Sequence, residues 1–227
     1  IGTNIYLAGF DEQEGWERCL LAAFAENFFV AFHNNLLELQ IGEHWLSSEN
    51  IGEVIEGLDG GKNHQDLRDY YAALTSPGAI TFSECLEGLG QVKLKLLVRE
   101  KANKRIAMFR GTGLKIYDRG HFRTPLDFTG VFTCENPEGN QFLRCLEPPS
   151  HNAWEHERFE TDPRRAKAVL TGLGQWLHNC VGKLNPASEK AQIEIPDLER
   201  YLPDEDDEAE AGDGGIGEGD GRPPADR

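Results

Sequence analysis

The chain has 227 residues, with 23 Lys and Arg against 39 Asp and Glu, a formal net charge of -16, 39% hydrophobic residues and 5 Cys. That length suits one compact domain with an appendage. No stretch approaches the roughly 18 uninterrupted apolar residues of a membrane helix, and the start lacks the basic-then-apolar plan of a signal peptide, so the expectation is a soluble, cytoplasmic chain with no membrane partner. The cysteines at 19, 85, 134, 145 and 180 are odd in number and form no CxxC pair, which argues against a disulfide framework or a zinc ribbon.

In chain order, Ile1-Gly2-Thr3 runs into Asn4-Ile5-Tyr6-Leu7-Ala8, a β-type apolar run without a preceding turn. It predicts a strand over 1–10 that needs a sheet to join, and is taken as the last strand of an upstream domain. Asp11, with Glu14 three residues on, has capping-box spacing. Trp16, Leu20, Ala23, Phe24, Asn27, Phe28 and Ala31 then recur at three and four residues and predict a largely buried helix. Leu36 to Ile41 has strand character. Ser47 or Ser48 opens a helix carrying Ile51, Val54, Ile55 and Leu58, stopped by Asp59-Gly60-Gly61. Asn63 opens another carrying Leu67, Tyr70, Tyr71 and Leu74 until Ser76-Pro77-Gly78.

From Gln91 the period changes to two. Val92, Leu94 and Leu96 alternate with Lys93, Lys95 and Leu97, as in a strand with one partly wet face. Arg105–Arg110 and Leu114–Tyr117 flank Gly111-Thr112-Gly113 and predict a hairpin. A second hairpin is predicted from Gly130–Glu135 and Gln141–Leu146 about Asn136-Pro137-Glu138-Gly139. A last helix from Pro163 carries Ala166, Val169, Leu170, Leu173, Leu177, Cys180, Val181 and Leu184, and ends at Asn185-Pro186. The pattern is α+β, divided as 1–10, a helical segment 11–90 packed on the sheet, a sheet domain 91–202 and a tail 203–227. That tail holds ten acids and two arginines, half of the total charge, with Ile216 its only large apolar side chain, so it is expected to be disordered.

His151, Glu155 and His156 lack zincin spacing, and no metal site is expected. His151 and Asn152 are expected to cap the turn after Pro148-Pro149. Basic residues from Lys93 to Arg123 crowd one stretch. They are either a solvated strand face or a surface for phosphates, with Lys93, Lys95 and Lys101 the nucleic-acid candidates.

Arg105-Ile106-Ala107-Met108-Phe109, a short turn, then Leu114-Lys115-Ile116-Tyr117-Asp118-Arg119-Gly120 resembles the hairpin in the second domain of MORC-type ATPases. Gly130-Val131-Phe132-Thr133-Cys134-Glu135, followed by Leu146-Glu147-Pro148-Pro149-Ser150-His151-Asn152, is similar to that family's next strand and its Leu-x-Pro-x-His-Asn turn, with Asn136 to Phe142 as an insertion. Gly2-Thr3-Asn4-Ile5-Tyr6 resembles the Gly-Thr-x-Ile strand that closes the nucleotide domain of the wider GHKL superfamily, which includes gyrase, histidine kinases and MutL.

The resemblance implies an S5-domain-2-like mixed sheet with packed helices after the last strand of a GHKL domain. It implies the transducer portion of an ATPase, with ATP and Mg2+ held upstream in the same chain and the present segment inactive alone. Lys115 would be the γ-phosphate sensor, Gly2 and Thr3 would lie near the phosphates, and Tyr117, Asp118 and Arg119 would position Lys115 or form the domain interface. A homodimer, DNA or partner-protein engagement and a role in prokaryotic restriction or phage defence are implied in the same way. The alternative is a non-enzymatic interaction module, an adaptor with an acidic tail.

Overall fold

The computed structural model describes residues 14–58 and 62–185. The expected strand over 1–10 with Gly2 and Thr3, the cap at Asp11 and the tail over 203–227 lie outside the described residues.

The elements are α1 (Trp16–His33), β1 (Leu39–Ile41), β2 (His44–Leu46), α2 (Ile51–Gly57), α3 (Lys62–Thr75), β3 (Ile80–Leu86), β4 (Gly90–Val98), β5 (Arg105–Phe109), β6 (Lys115–Arg119), β7 (Phe128–Cys134), α4 (Pro137–Cys145) and α5 (Pro163–Gly182), with a 3-10 turn at His156–Arg158. The chain is α+β, as its pattern indicates. Five strands form a mixed sheet in the order β3-β4-β7-β5-β6. Among the described residues, β5 and β7 run parallel and the other pairs are antiparallel.

The sheet is covered on both sides because its central strands are apolar on both sides. On β5, Ile106 and Met108 join a core with α4 and α5, whereas Ala107 and Phe109 join a second core with α1, α2 and α3. Phe128, Phe132 and Cys134 of β7 lie in the first core and Val131 in the second. On β4, Val92, Leu94 and Leu96 are buried while the lysines between them are half-buried, matching the alternation in the sequence. The α5 stripe of Ala166, Val169, Leu173, Leu177, Cys180 and Val181 is buried as its spacing requires.

Three expectations are corrected. First, α1 buries Leu21, Ala25, Phe29, Val30, Ala31 and Phe32, one step round from most of the predicted stripe, whose Trp16, Leu20, Phe24 and Phe28 are only partly buried. Doublets such as Leu20-Leu21 and Phe28-Phe29 fit either stripe. The choice is made by Phe29, whose ring meets Phe109 edge-on at 4.9 Å. The helix starts at Trp16 after Gly15, with no side-chain cap.

Second, 137–145 is helix α4 and not the return strand of a hairpin. Asn136 Oδ1 accepts from Gly139 N at 2.9 Å and Pro137 fills the first turn, so Asn-Pro-Glu-Gly is a helix start. Cys134 and Cys145 therefore sit on different elements, one buried in the core and one exposed at the end of α4.

Third, the segment 11–90 also carries strands: β1 and β2 form a small ribbon where one strand over 36–41 was expected, and β3 pairs along its length with β4. The Lys115 side chain on β6 is only 10% exposed.

Candidate functional site

The β5–β6 hairpin places Lys115. Its turn is closed by Arg110 N to Leu114 O at 3.0 Å and Gly113 N to Arg110 O at 2.8 Å. Gly113 has φ +81° and packs so tightly on α1 that a Cβ there would lie 2.5 Å from Ala31 N. The register then slips between Met108 and Phe109, so that Phe109 pairs with Lys115, Met108 with Tyr117 and Ala107 with Asp118. This bulge matters because side chains otherwise alternate. It lets Lys115 and Asp118, three residues apart, share the face of Phe109 and Ala107 beneath α1 and α3.

There the Lys115 ammonium lies 3.2 Å from Asp118 Oδ2, 3.6 Å from Glu26 Oε1 of α1, and 5.5 Å from the centre of the Tyr70 ring of α3. The Asp118 side chain is 25% exposed and that of Glu26 37%. Asp118 Oδ1 and the Tyr70 hydroxyl are both buried and neither has a partner at ordinary hydrogen-bond geometry, but the phenol is near enough to Asp118 for a weak hydrogen bond to it to help retain its proton. Burial, then the charges of Asp118 and Asp66, push the Tyr70 phenol far above its ordinary value and keep it a neutral donor. Asp66 pairs with Arg105 at 3.8 Å. The result is a cation with two anions of unequal exposure and a neutral hydroxyl, at the seam between the sheet and the helical layer.

The other positioning candidates divide. Asp118 joins Lys115, but Tyr117 and Arg119 face the opposite side of the sheet. Tyr117 meets Trp154 edge-on at 5.4 Å, and its phenol is pushed up by burial. Arg119 lies over α5, where a Cβ on Gly174 would come within 2.7 Å of its guanidinium. They fix β6 to the α5 layer and do not touch the ammonium of Lys115.

The nucleic-acid candidates do not form one free patch. Lys93 is paired with Glu135, and Lys95 Nζ donates to Leu74 O at 2.6 Å at the end of α3. Lys101 is exposed on the loop after β4, where its backbone N–H donates to Asp127 Oδ2 at 2.9 Å. Elsewhere in the basic run, Arg99 pairs with Asp69 at 3.4 Å, Lys104 with Asp127 at 3.1 Å and Arg110 with Glu147 at 3.0 Å. The charges that looked like a phosphate surface are largely met by carboxylates of the same chain.

A second polar cluster escaped the sequence reading. Glu147, its side chain 1% exposed, accepts through Oε2 from Arg110 Nη1 at 3.0 Å and is 2.8 Å from His151 Nδ1. His151 has φ +50° in a turn where its N–H donates to Pro148 O at 2.9 Å and Ser150 Oγ donates to Asn152 Oδ1 at 2.6 Å. The signal was present as a glutamate set between Leu146 and Pro148-Pro149, an apolar context for a charge. It holds the tip of the β5–β6 hairpin to the 147–152 turn. His156 pairs with Glu157 at 3.2 Å, and among the described residues no three His, Cys, Asp or Glu are placed to hold a metal ion.

Compared with protein-family models, characterised proteins and solved structures, the chain matches none of them.

Proposed function

We propose that this chain is the transducer portion of a GHKL/MORC-like ATPase, an S5-like domain that senses ATP held with Mg2+ in an upstream nucleotide domain of the same chain. The motif likeness supplies the family. The observation that carries the reading is the Lys115 ammonium, fixed at the end of a tight hairpin with anions already around it. A compact ammonium makes a charge-assisted bond to a phosphate oxygen, and a carboxylate occupies a similar position in its absence. The residues present fit one contact to a terminal phosphate oxygen; they supply a single cation, and adenine, ribose and the other phosphates belong to the upstream domain.

ATP supplies the γ-phosphate whose presence or loss is sensed. The rest is done by this chain. Gly113 and the bulge after Met108 fix where Lys115 starts. Asp118 holds the ammonium on its strand. Tyr117 and Arg119 tie that strand to Trp154 and α5, so a shift at Lys115 is passed to both helical layers. A contact that differs between nucleotide states is what such a switch requires. Dimerisation, DNA or partner-protein engagement and service in prokaryotic restriction or phage defence belong to the same proposal, and the isolated chain is inactive in it.

The test is kinetic. In the full-length protein, Lys115→Met, which keeps the apolar stem, and Lys115→Arg, which replaces the point charge by a planar fork, should both lower ATP turnover and nucleotide-dependent dimerisation. Wild-type turnover in both variants would sink the reading.

A further inference from the structure

We infer that Glu26 is an internal competitor of the phosphate: its carboxylate holds the outward side of the Lys115 ammonium until the terminal phosphate of a nucleoside triphosphate displaces it, while Asp118 stays in place as the positioning residue. The inference rests on the reading of Lys115 given above and adds the residues that decide when Lys115 is free. Three observations carry it.

The two carboxylates are not equivalent. Asp118 is on the same strand as Lys115, closer at 3.2 Å and 25% exposed, whereas Glu26 reaches over from α1, lies at 3.6 Å and is 37% exposed. The more exposed and more distant partner contributes less and is the one an incoming anion replaces. A phosphate oxygen makes the same kind of contact as the carboxylate it displaces, with more charge.

Asp118 is also prepared for a partial withdrawal of the ammonium. Its buried Oδ1 already faces the buried Tyr70 hydroxyl, and interaction with the Asp118 carboxylate is one of the causes that hold the phenol protonated. As Lys115 leans toward an outside anion, the Tyr70 hydroxyl stays beside Asp118 as a donor, so the carboxylate is not left buried and bare. Asp66 and Arg105, on the other side of Tyr70, remain paired with each other.

Displacing Glu26 releases one of the contacts between α1 and β6. Gly113 against Ala31 and Phe109 against Phe29 remain, so α1 is loosened at its middle and not detached. The occupied and empty states of the phosphate site thereby differ in how tightly α1 lies on the sheet.

The experiment is a double-mutant cycle on the full-length protein, with affinities for a non-hydrolysable ATP analogue and for ADP measured by calorimetry. Glu26→Gln should raise affinity for the triphosphate analogue about two- to fivefold and leave ADP affinity unchanged. Glu26→Asp, whose reach is one methylene shorter, should give a smaller gain in the same direction. In a Lys115→Met background the gain should disappear, because there is no ammonium to compete for. If Lys115→Met abolishes the preference for triphosphate while Glu26→Gln changes nothing, the competitor role is overturned and the sensor reading stands. If Lys115→Met leaves the preference intact, both are overturned.

Discussion

Lys115 keeps one-tenth of its side chain in solvent and two carboxylates for neighbours, so removing it does more than shorten a surface residue. Lys115→Ala leaves Asp118 with no cation and only the Tyr70 hydroxyl beside it. The isolated chain should lose about 1–3 kcal/mol, read by chemical denaturation; an unchanged midpoint would show that the ion pairs contribute nothing. Asp69 behaves in the opposite sense. It is 4% exposed, accepts from Gln65 Nε2 at 3.1 Å and faces Arg99 at 3.4 Å. Burial raises its carboxyl above the ordinary 3.8, outweighing the lowering by Gln65 and Arg99. The folded state therefore binds this proton more tightly than the unfolded state, so Asp69 opposes folding at neutral pH and the penalty fades as pH falls through the raised value. Asp69→Asn, which keeps an acceptor for Gln65 and Arg99, should raise the melting temperature at pH 7, with the gain shrinking as pH falls through the raised value. A gain independent of pH would assign the effect to packing.

At the scale of elements, the features that aim Lys115 are a turn, a bulge and a helix start, and they differ in how visibly the sequence carries them. Gly111-Thr112-Gly113 marks the hairpin by composition, and the β4 alternation and the α5 stripe follow from period alone. The bulge after Met108 leaves no such mark: a strict two-residue alternation would put Lys115 with Tyr117 and Arg119, and the slipped register puts it with Asp118 instead. The buried stripe of α1 was ambiguous because the helix is apolar on adjacent lines, and the edge-on contact of Phe29 with Phe109, eighty residues away in sequence, decides it. The α4 segment misled because Asn, Pro and Gly serve both turns and helix starts; the side-chain cap from Asn136 resolves it. Exposed β3, with Ile80, Thr81, Ser83, Glu84 and Cys85 on an outer strand of the sheet among the described residues, offers neither a clean period nor a run of apolar residues. Two substitutions test the turn and the cap. Gly113→Ala must adopt φ +81° and press a methyl into the α1 backbone, and should cost about 2–4 kcal/mol. Asn136→Ala removes one side-chain cap and should cost about 1 kcal/mol. Equal losses by denaturation would mean that the hairpin and α1 do not touch as closely as the structure has them.

Over the whole molecule, one edge strand meets both helical layers. Lys115 and Asp118 of β6 engage α1 and α3, while Tyr117 and Arg119 of the same strand engage Trp154 and α5. In the proposed transducer, a pull on Lys115 would be felt on both faces of the sheet through these contacts. The formal charge of -16 and the pairing of most bases in 93–123 make a general attraction to phosphate a poor substitute for this single oriented cation. The most direct measurement is the ratio of affinities for a non-hydrolysable ATP analogue and for ADP in the full-length protein, wild type against Lys115→Met. Loss of one charge-assisted bond to the γ-phosphate should lower that ratio about 10- to 150-fold with ADP affinity nearly unchanged. Equal weakening of both nucleotides, or no change in either, would contradict the account.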